Sequence, residues 1–162
     1  MAAVITVRVW TGTSAGTESA AVTGIDHASA DNATNSLANR QANPLTVGTR
    51  AYEKWVALHI DAAPANNVSN FQIWGSGTGE VSSDLYVAGE QVTGQTPTSG
   101  ASAVAVADFY DYTAGSKLQW DAGTYTMTDA TTQFAVFQLA IAASRGPGAR
   151  AQDVYNYSYD ET

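Results

Sequence analysis

The sequence predicts an all-β protein, a single antiparallel β-sandwich or jelly-roll-like domain with long loops that spans residues 1–162. Apolar and polar residues alternate with a period of two in most of the apolar-rich stretches, as they do in half-buried strands. Groups of Gly, Pro, Ser and Thr separate these stretches at short intervals, which is typical of sandwiches. A chain of 162 residues fits one domain and can bury a sizeable core without disulfides.

The alternation places strands, in chain order, at residues 5–10, 54–60, 71–74, 85–87, 104–110, 118–120, 125–127, 134–141 and 154–159. In the first stretch Ile5, Val7 and Val9 share one face, which we expect to pack in the core. The stretch 134–141 is apolar on both faces and therefore predicts a central strand covered on both sides. A turn is predicted at residues 121–123, because Asp and Gly are typical turn residues.

The connections between the strands are predicted to be loops. Gly and Pro mark such loops at residues 75–79, 96–100 and 145–148. The first of them has the sequence Gly-Ser-Gly-Thr-Gly, but Glu follows where a phosphate-binding loop has Lys, so we expect an inter-strand loop. Residues 30–42 could hold a short helix, although their content of Asn, Thr and Ser favours a loop.

The charge and composition exclude several classes of function. Seven basic and fifteen acidic residues give a net charge of −8, without a Lys/Arg cluster, which argues against nucleic acid and anionic membranes as direct partners. The chain has no Cys, so disulfides, thiolate metal sites and Cys nucleophiles are excluded. The first ten residues do not read as a signal peptide, and no stretch approaches the roughly 18 apolar residues of a membrane span.

No group of residues predicts catalysis, a cofactor or a metal site. Asp26, His27 and Asp31 could offer oxygen and imidazole ligands, but their spacing matches neither a calcium loop nor a zinc site, and a polar loop is favoured. His59 alternates with strand residues, so we expect a packed or half-exposed histidine rather than a general base. The nucleophile motif Gly-x-Ser-x-Gly is absent, and the carboxylates at 160–161 stand where a pocket is hard to build. We therefore expect a protein that is not an enzyme.

The aromatic residues, four Trp, eight Tyr and four Phe, leave two interpretations. Exposed aromatics on a flat sheet can stack on sugar rings, whereas buried ones fill a core or an interface, where Trp and Tyr are enriched. We favour packing, with Trp55 and Trp74 on neighbouring strands and with Asn66, Asn67 and Asn70 shaping the connection. The residues predicted to serve packing or interfaces are Tyr52, Trp55, Trp74, Trp10, Tyr155, Tyr157 and Tyr159.

Two regions of the chain resemble small virion structural proteins of tailed bacteriophages. In the first, residues 52–56 (YEKWV) are followed by a short Asn/Pro/Ser turn and by residues 68–74 (VSNFQIW). In the second, residues 137–141 (FQLAI) precede a Gly/Pro loop, and a final strand closes on residues 159–161 (YDE). The similarity covers the middle and the C-terminal third of the chain.

The resemblance implies a non-enzymatic virion protein without a cofactor, made in the host cytoplasm and located on the capsid surface. Among head decoration, minor capsid and tail roles we favour decoration (cement), because the chain is one small acidic β-domain without an enzyme site. The expected partners are the major capsid protein and further copies of the chain, and a trimer would suit a threefold position. The loop 13–43 is long enough to reach a neighbour. The alternative is a carbohydrate-binding sandwich, on a virion or elsewhere.

Overall fold

The computed structural model describes residues 2–62, 67–76, 85–88, 96–145 and 153–162. In these ranges the strands and the single α-helix are β1 Val4–Thr11, β2 Thr17–Glu18, α1 Leu37–Ala42, β3 Lys54–Ala62, β4 Val68–Ser76, β5 Leu85–Ala88, β6 Ala107–Asp108, β7 Leu118–Tyr125, β8 Ala130–Thr131, β9 Ala135–Leu139 and β10 Val154–Glu161. Short 3-10 turns occur at Thr13–Ala15 and Phe109–Asp111. The predicted all-β class is confirmed.

The strands form two antiparallel sheets that share one core. The larger sheet has the order β2-β1-β3-β9-β5-β6, with β8 also paired to β3, and the smaller sheet has the order β10-β4-β7. Val56 and Phe137 from the larger sheet meet Phe71 and Trp120 from the smaller one in the core. The arrangement is that of a sandwich, in which the inner faces of two sheets pack together.

Strand β3 is covered on both of its faces. Val56, Leu58 and Ile60 face the shared core, as their alternation predicts. On the opposite face Trp55 lies across from Trp10 of β1, and both rings pack in a second, smaller apolar cluster. Trp55 is only 1% exposed, so the packing interpretation of this residue is confirmed.

Strand β9 lies between β3 and β5, and all five of its residues are buried, which confirms the predicted central strand.

Two other predictions, a strand at 104–110 and a turn at 121–123, are wrong. Most of the predicted strand 104–110 is a loop and a 3-10 turn around the short β6, and Val106 is 68% exposed. The predicted turn at 121–123 is part of β7, because Asp121 pairs with Phe71 of β4 and Thr124 pairs with Ser69. The register shifts between these two pairs, and there the Asp121 carboxylate accepts the Gly123 backbone N–H at 2.6 Å.

Trp55 and Trp74 do not lie on neighbouring strands, which corrects the prediction. Strand β3 belongs to the larger sheet and β4 to the smaller one, so the connection between them crosses from one sheet to the other. Asn66 lies outside the described residues, and the Asn67 backbone pairs with Thr162. Asn70 does adopt the left-handed conformation, with φ 55°, but inside β4, where the pairing with both neighbouring strands shifts. It therefore forms a β-bulge rather than the connection.

This bulge predicts a specific response to substitution at Asn70. The left-handed conformation is strained for most side chains and worst for β-branched ones, while Gly adopts it freely. We expect Asn70→Val to lose about 1–3 kcal/mol of unfolding free energy. We expect Asn70→Gly to lose less, although both variants remove the bond from Asn70 Nδ2 to Asp160 Oδ2 at 2.8 Å. Urea unfolding measures both losses, and equal midpoints would contradict a conformational role for Asn70.

The segment between β2 and β3 covers one opening of the sandwich. Its second half contains helix α1, although the composition favours a loop there. Ser36 caps the helix, and its Oγ accepts the Asn39 backbone N–H at 3.1 Å. The backbone N–H of Val22 donates to the Val7 carbonyl at 2.8 Å, and that of Tyr52 donates to the Ala28 carbonyl at 3.0 Å. This segment is therefore held against its own core rather than extended away from it.

Candidate functional site

A cleft of about 1100 Å³ opens between the two sheets. Its volume is slightly above the roughly 300–1,000 Å³ of sites that hold drug-sized ligands. Side chains of the shared core form its floor, namely Val7, Val56, Ile73, Leu85, Trp120 and Leu139. The cleft is therefore an opening into the apolar interior of the sandwich, and not a depression on its polar surface.

The two sides of the cleft come from β10 and from the segment 22–45. Tyr155 and Tyr157 alternate with Asn156 and Ser158 along β10, which directs both tyrosines to the inner face of the smaller sheet. Burial raises the pKa of the Tyr157 hydroxyl, and the neighbouring Tyr159 raises it further, so the hydroxyl stays neutral. One wall of the cleft is thus a neutral aromatic strand.

The mouth of the cleft carries exposed apolar side chains. Leu37 from α1 is 63% exposed, Val154 is 50% exposed and Tyr157 is 37% exposed, and all three line the cleft. Exposed apolar groups that cluster around one opening mark an interaction site more often than a scattered set does. The apolar character of the cleft therefore continues onto the surface around it.

The tyrosines predicted as packing residues divide between core and cleft. Tyr155 stacks on Phe109 at 5.2 Å between ring centroids and meets Phe137 edge-on at 5.0 Å. Tyr159 lies 6.1 Å from Phe71, also on the core side. Tyr157 lines the cleft and Tyr52 is half-buried.

Trp74, one of the residues predicted to serve packing or interfaces, does not lie in the core. It is half-buried on the outer face of the smaller sheet, opposite Asn156, with Lys117 Nζ 4.5 Å from its ring centroid. The same Nζ donates to Ser158 Oγ at 3.1 Å. The three tyrosines of β10 pack on the inner side, so the predicted aromatic set forms no coplanar sugar platform here.

Asp26, His27 and Asp31 do not converge on a common point. Asp26 pairs with Arg40 at 2.6 Å, and Asp31 accepts the Gly12 backbone N–H at 2.8 Å. His27 Nε2 lies 2.9 Å from the Tyr155 hydroxyl. Among the described residues there is no group of three His, Asp or Glu that could hold a metal ion. Asp26 thus holds the segment 22–45 together internally, while Asp31 and His27 bond residues outside it.

His27 lies in the wall of the cleft with one nitrogen unsatisfied. Its Nδ1 is buried without a hydrogen-bond partner among the described residues, as is one carboxylate oxygen of Asp31. Burial and, to a smaller extent, the positive charge of Lys54 together lower the pKa of His27 to about 3. The imidazole is therefore neutral at physiological pH.

The motif at residues 52–56 has a structural explanation. Glu53, Lys54 and Trp55 are each at most 2% exposed. The Trp55 indole N–H donates to Glu53 Oε2 at 2.9 Å, and the Lys54 ammonium donates to the Asn32 carbonyl at 2.6 Å. Burial lowers the pKa of Lys54 to about 8, although Asp31 and Asp26 oppose the shift. The start of β3 thus fixes the overlying segment from its core side.

Sequence reasoning missed Gln138 as a structural residue. Its side chain is fully buried in β9; its Nε2 donates to the carbonyls of Ala51 at 3.1 Å and Gly100 at 2.7 Å, and its Oε1 accepts the Ser102 backbone N–H at 3.1 Å. The available signal was one amide side chain within a stretch that is otherwise apolar. Gln138 ties the loop 98–102 to the central strand.

His59 is 7% exposed, and its Nδ1 lies 3.1 Å from Asp61 Oδ1 on the outer face of β3, away from the cleft.

None of the described helices has the length and apolar character of a membrane span. No family model, curated protein or solved structure matches the chain. The cleft and its wall β10 are therefore the features from which a function can be argued.

Proposed function

We propose that this chain is a non-enzymatic structural protein of a tailed-phage virion, a head decoration protein that binds the outer capsid surface and stabilises contacts between capsomers. The observation that carries the proposal is the apolar cleft with exposed Leu37, Val154 and Tyr157 at its mouth. Such a surface is suited to binding another macromolecule. The same surface would also serve a minor capsid or tail component, which is the alternative form of this proposal.

Two further features of the chain are consistent with a role in assembly. The chain has a net charge of −8, which disfavours contact with packaged DNA and suits the outer side of a shell. The motif at 52–56, one of the stretches that carry the resemblance to phage virion proteins, forms part of the core and stabilises the fold. A decoration protein also gains avidity because modest contacts repeat over a symmetric lattice.

The test is co-sedimentation of the purified chain with capsids that lack it, followed by cryo-electron microscopy. The genomic neighbourhood of the coding sequence identifies the virus to use. We expect ordered density at regular positions on the outer surface, with a symmetry that gives the number of copies at each position. Binding to neither shell nor tail would contradict a virion role, and a glycan array would then become the next experiment.

A further inference from the structure

We infer that a polar pocket beside Arg50 binds an oxyanion, a phosphate or a carboxylate group, and that the Arg50 guanidinium is its anchor. The pocket has a volume of about 520 Å³, within the roughly 300–1,000 Å³ of small-ligand sites. Of the described residues that line it, only Pro44 also lines the cleft between the sheets. The inference concerns this second surface and does not rest on the proposed function.

The charge of the pocket comes from Arg50 alone among the described residues that line it. Arg8 and Arg40 pair with carboxylates at 2.6 to 2.8 Å. Arg50 has no carboxylate within ion-pair distance in the described part of the chain, although the chain has fifteen acidic residues. A cation that is not neutralised and that stands among neutral polar groups attracts an anion.

The half-buried guanidinium of Arg50 is held in place before a ligand binds. Its Nη1 donates to Oε1 of the fully buried Gln138 at 3.0 Å, and its Cζ lies 5.6 Å from the centroid of the Tyr86 ring. The main chain of Arg50 forms an antiparallel bridge with Ala140, directly after β9. A side chain that is already fixed loses less conformational freedom when a ligand binds. Gln138 therefore positions this cation as well as the loop 98–102.

The Arg50 guanidinium keeps hydrogen-bonding capacity for a ligand. Its bond to Gln138 is its only hydrogen bond within the described ranges, and a guanidinium carries further N–H donors in a planar fork. Two neighbouring N–H groups of this fork match two oxygens of a carboxylate or a phosphate. The fork therefore favours an oxyanion over a single-atom anion such as chloride.

The rest of the pocket offers neutral polar groups. The hydroxyls of Ser29, Thr46 and Ser99 form no hydrogen bond with other described residues, so they are available to a ligand. The rim beside Arg50 is a tight turn, in which the Thr49 N–H donates to the Thr46 carbonyl at 3.1 Å and Gly48 has φ 78°. The pocket therefore has room for polar groups that carry the oxyanion as well as for the oxyanion itself.

The test follows the full ¹⁵N-labelled chain by ¹H–¹⁵N correlation spectra during titration with sodium phosphate and, separately, with sodium acetate, at constant ionic strength. With at least one of these anions we expect saturable shifts at the backbone amides of residues 46–50 and 99 and at the Arg50 Nε–H. The anion that binds more tightly identifies the oxyanion. Arg50→Gln should weaken binding by at least about tenfold, because it removes both the charge and the fork. Arg40→Gln is the matched control. It changes the net charge by the same amount at an arginine that is paired with Asp26, and should change binding by less than about twofold.

A second pair of variants tests the pocket without removing Arg50. Ser99→Glu places a carboxylate at the rim, where it competes with the ligand for the guanidinium, so the saturable shifts should be lost. Met127→Glu adds the same charge at a residue that is 66% exposed and does not line the pocket, and it should bind the anion as the parent chain does. If Arg50→Gln does not fold, this pair decides the question.

Four results would overturn the inference. The first is that neither anion gives saturable shifts, and the second is that such shifts occur only outside the pocket. The third is that Arg50→Gln folds and binds the anion as tightly as the parent chain does. The fourth is that Ser99→Glu and Met127→Glu weaken binding equally, since binding would then depend on the net charge and not on this pocket.

Discussion

Replacing Trp55 with Ala is expected to lower the free energy of unfolding by about 3–5 kcal/mol, the usual cost of removing a buried aromatic side chain. Trp55 is 1% exposed and packs edge-on against Phe134 at 5.4 Å between ring centroids. The substitution leaves a cavity in the outer cluster of the larger sheet. It also removes the indole N–H that donates to the buried Glu53 carboxylate, which then keeps only the longer bond from the Thr98 backbone N–H at 3.4 Å, and this adds to the loss. Equilibrium unfolding in urea measures the change.

The matched control is Trp74→Ala, which removes a residue of the same type from the smaller sheet. Trp74 is half-buried, and its ring interacts with the Lys117 ammonium at 4.5 Å. We expect a loss of only about 1–2 kcal/mol, from partial burial and from this cation–π contact. A loss at Trp55 no larger than the loss at Trp74 would contradict a packing role for Trp55.

Acid is expected to destabilise the fold through His27. The pKa of His27 is about 3 in the folded chain, against 6.5 for an ordinary histidine. Below pH 6.5 the unfolded chain binds a proton that the folded chain does not bind until about pH 3, so stability is complete above pH 6.5 and falls between these values. Because the side chain keeps partial solvent contact, we expect His27 to account for a loss of about 3–4 kcal/mol at pH 3.

The measurement is the unfolding free energy of the chain and of His27→Phe across this pH range. Phe keeps a planar ring and cannot take up a proton, so the variant should lose less stability on acidification than the parent chain. Lys54 stays positively charged in acid, and the carboxylates of Asp26 and Asp31 are common to both proteins. His59→Gln removes the second histidine of the chain and should leave the His27 effect in place. Parallel curves for His27→Phe and the parent would contradict this assignment.

The strands could be predicted where a pattern of side chains reports directly on burial. Residues of β1 and β3 alternate because one face meets the shared core, and β9 is apolar throughout because both of its faces are covered. Trp55 shows the limit of this pattern. It lies on the face of β3 opposite Val56, and the alternation is the same whether that face is covered or lies at the surface. Only the overlying residues, such as Ala105 and Phe134, decide between the two, and they are distant in sequence.

The cleft could not be predicted, because it depends on which sheet each strand joins. The alternation in β4 would be the same if β4 paired with β3 or if it belonged to the other sheet. The sequence between Trp55 and Trp74 therefore carries no local signal that the chain crosses from one sheet to the other. Helix α1 was missed because its cap, Ser36, comes from the same Ser-rich and Asn-rich composition that favours loops. His27 was recognised as a polar loop residue, but its bond to Tyr155 joins distant parts of the chain.

The pairing of β10 with β4 also sets an order of events during synthesis. The ribosome makes β4 long before it makes β10. Val68 therefore emerges well before its pairing partner Glu161, and Ser76 well before its partner Val154. Until then the edge of β4 that will bind β10 is without its partner, and pairing over such a sequence distance makes folding slow. The smaller sheet is therefore completed only after β10 has emerged. Chains truncated before β10 would expose both the β4 edge and the apolar floor, and we expect them to aggregate.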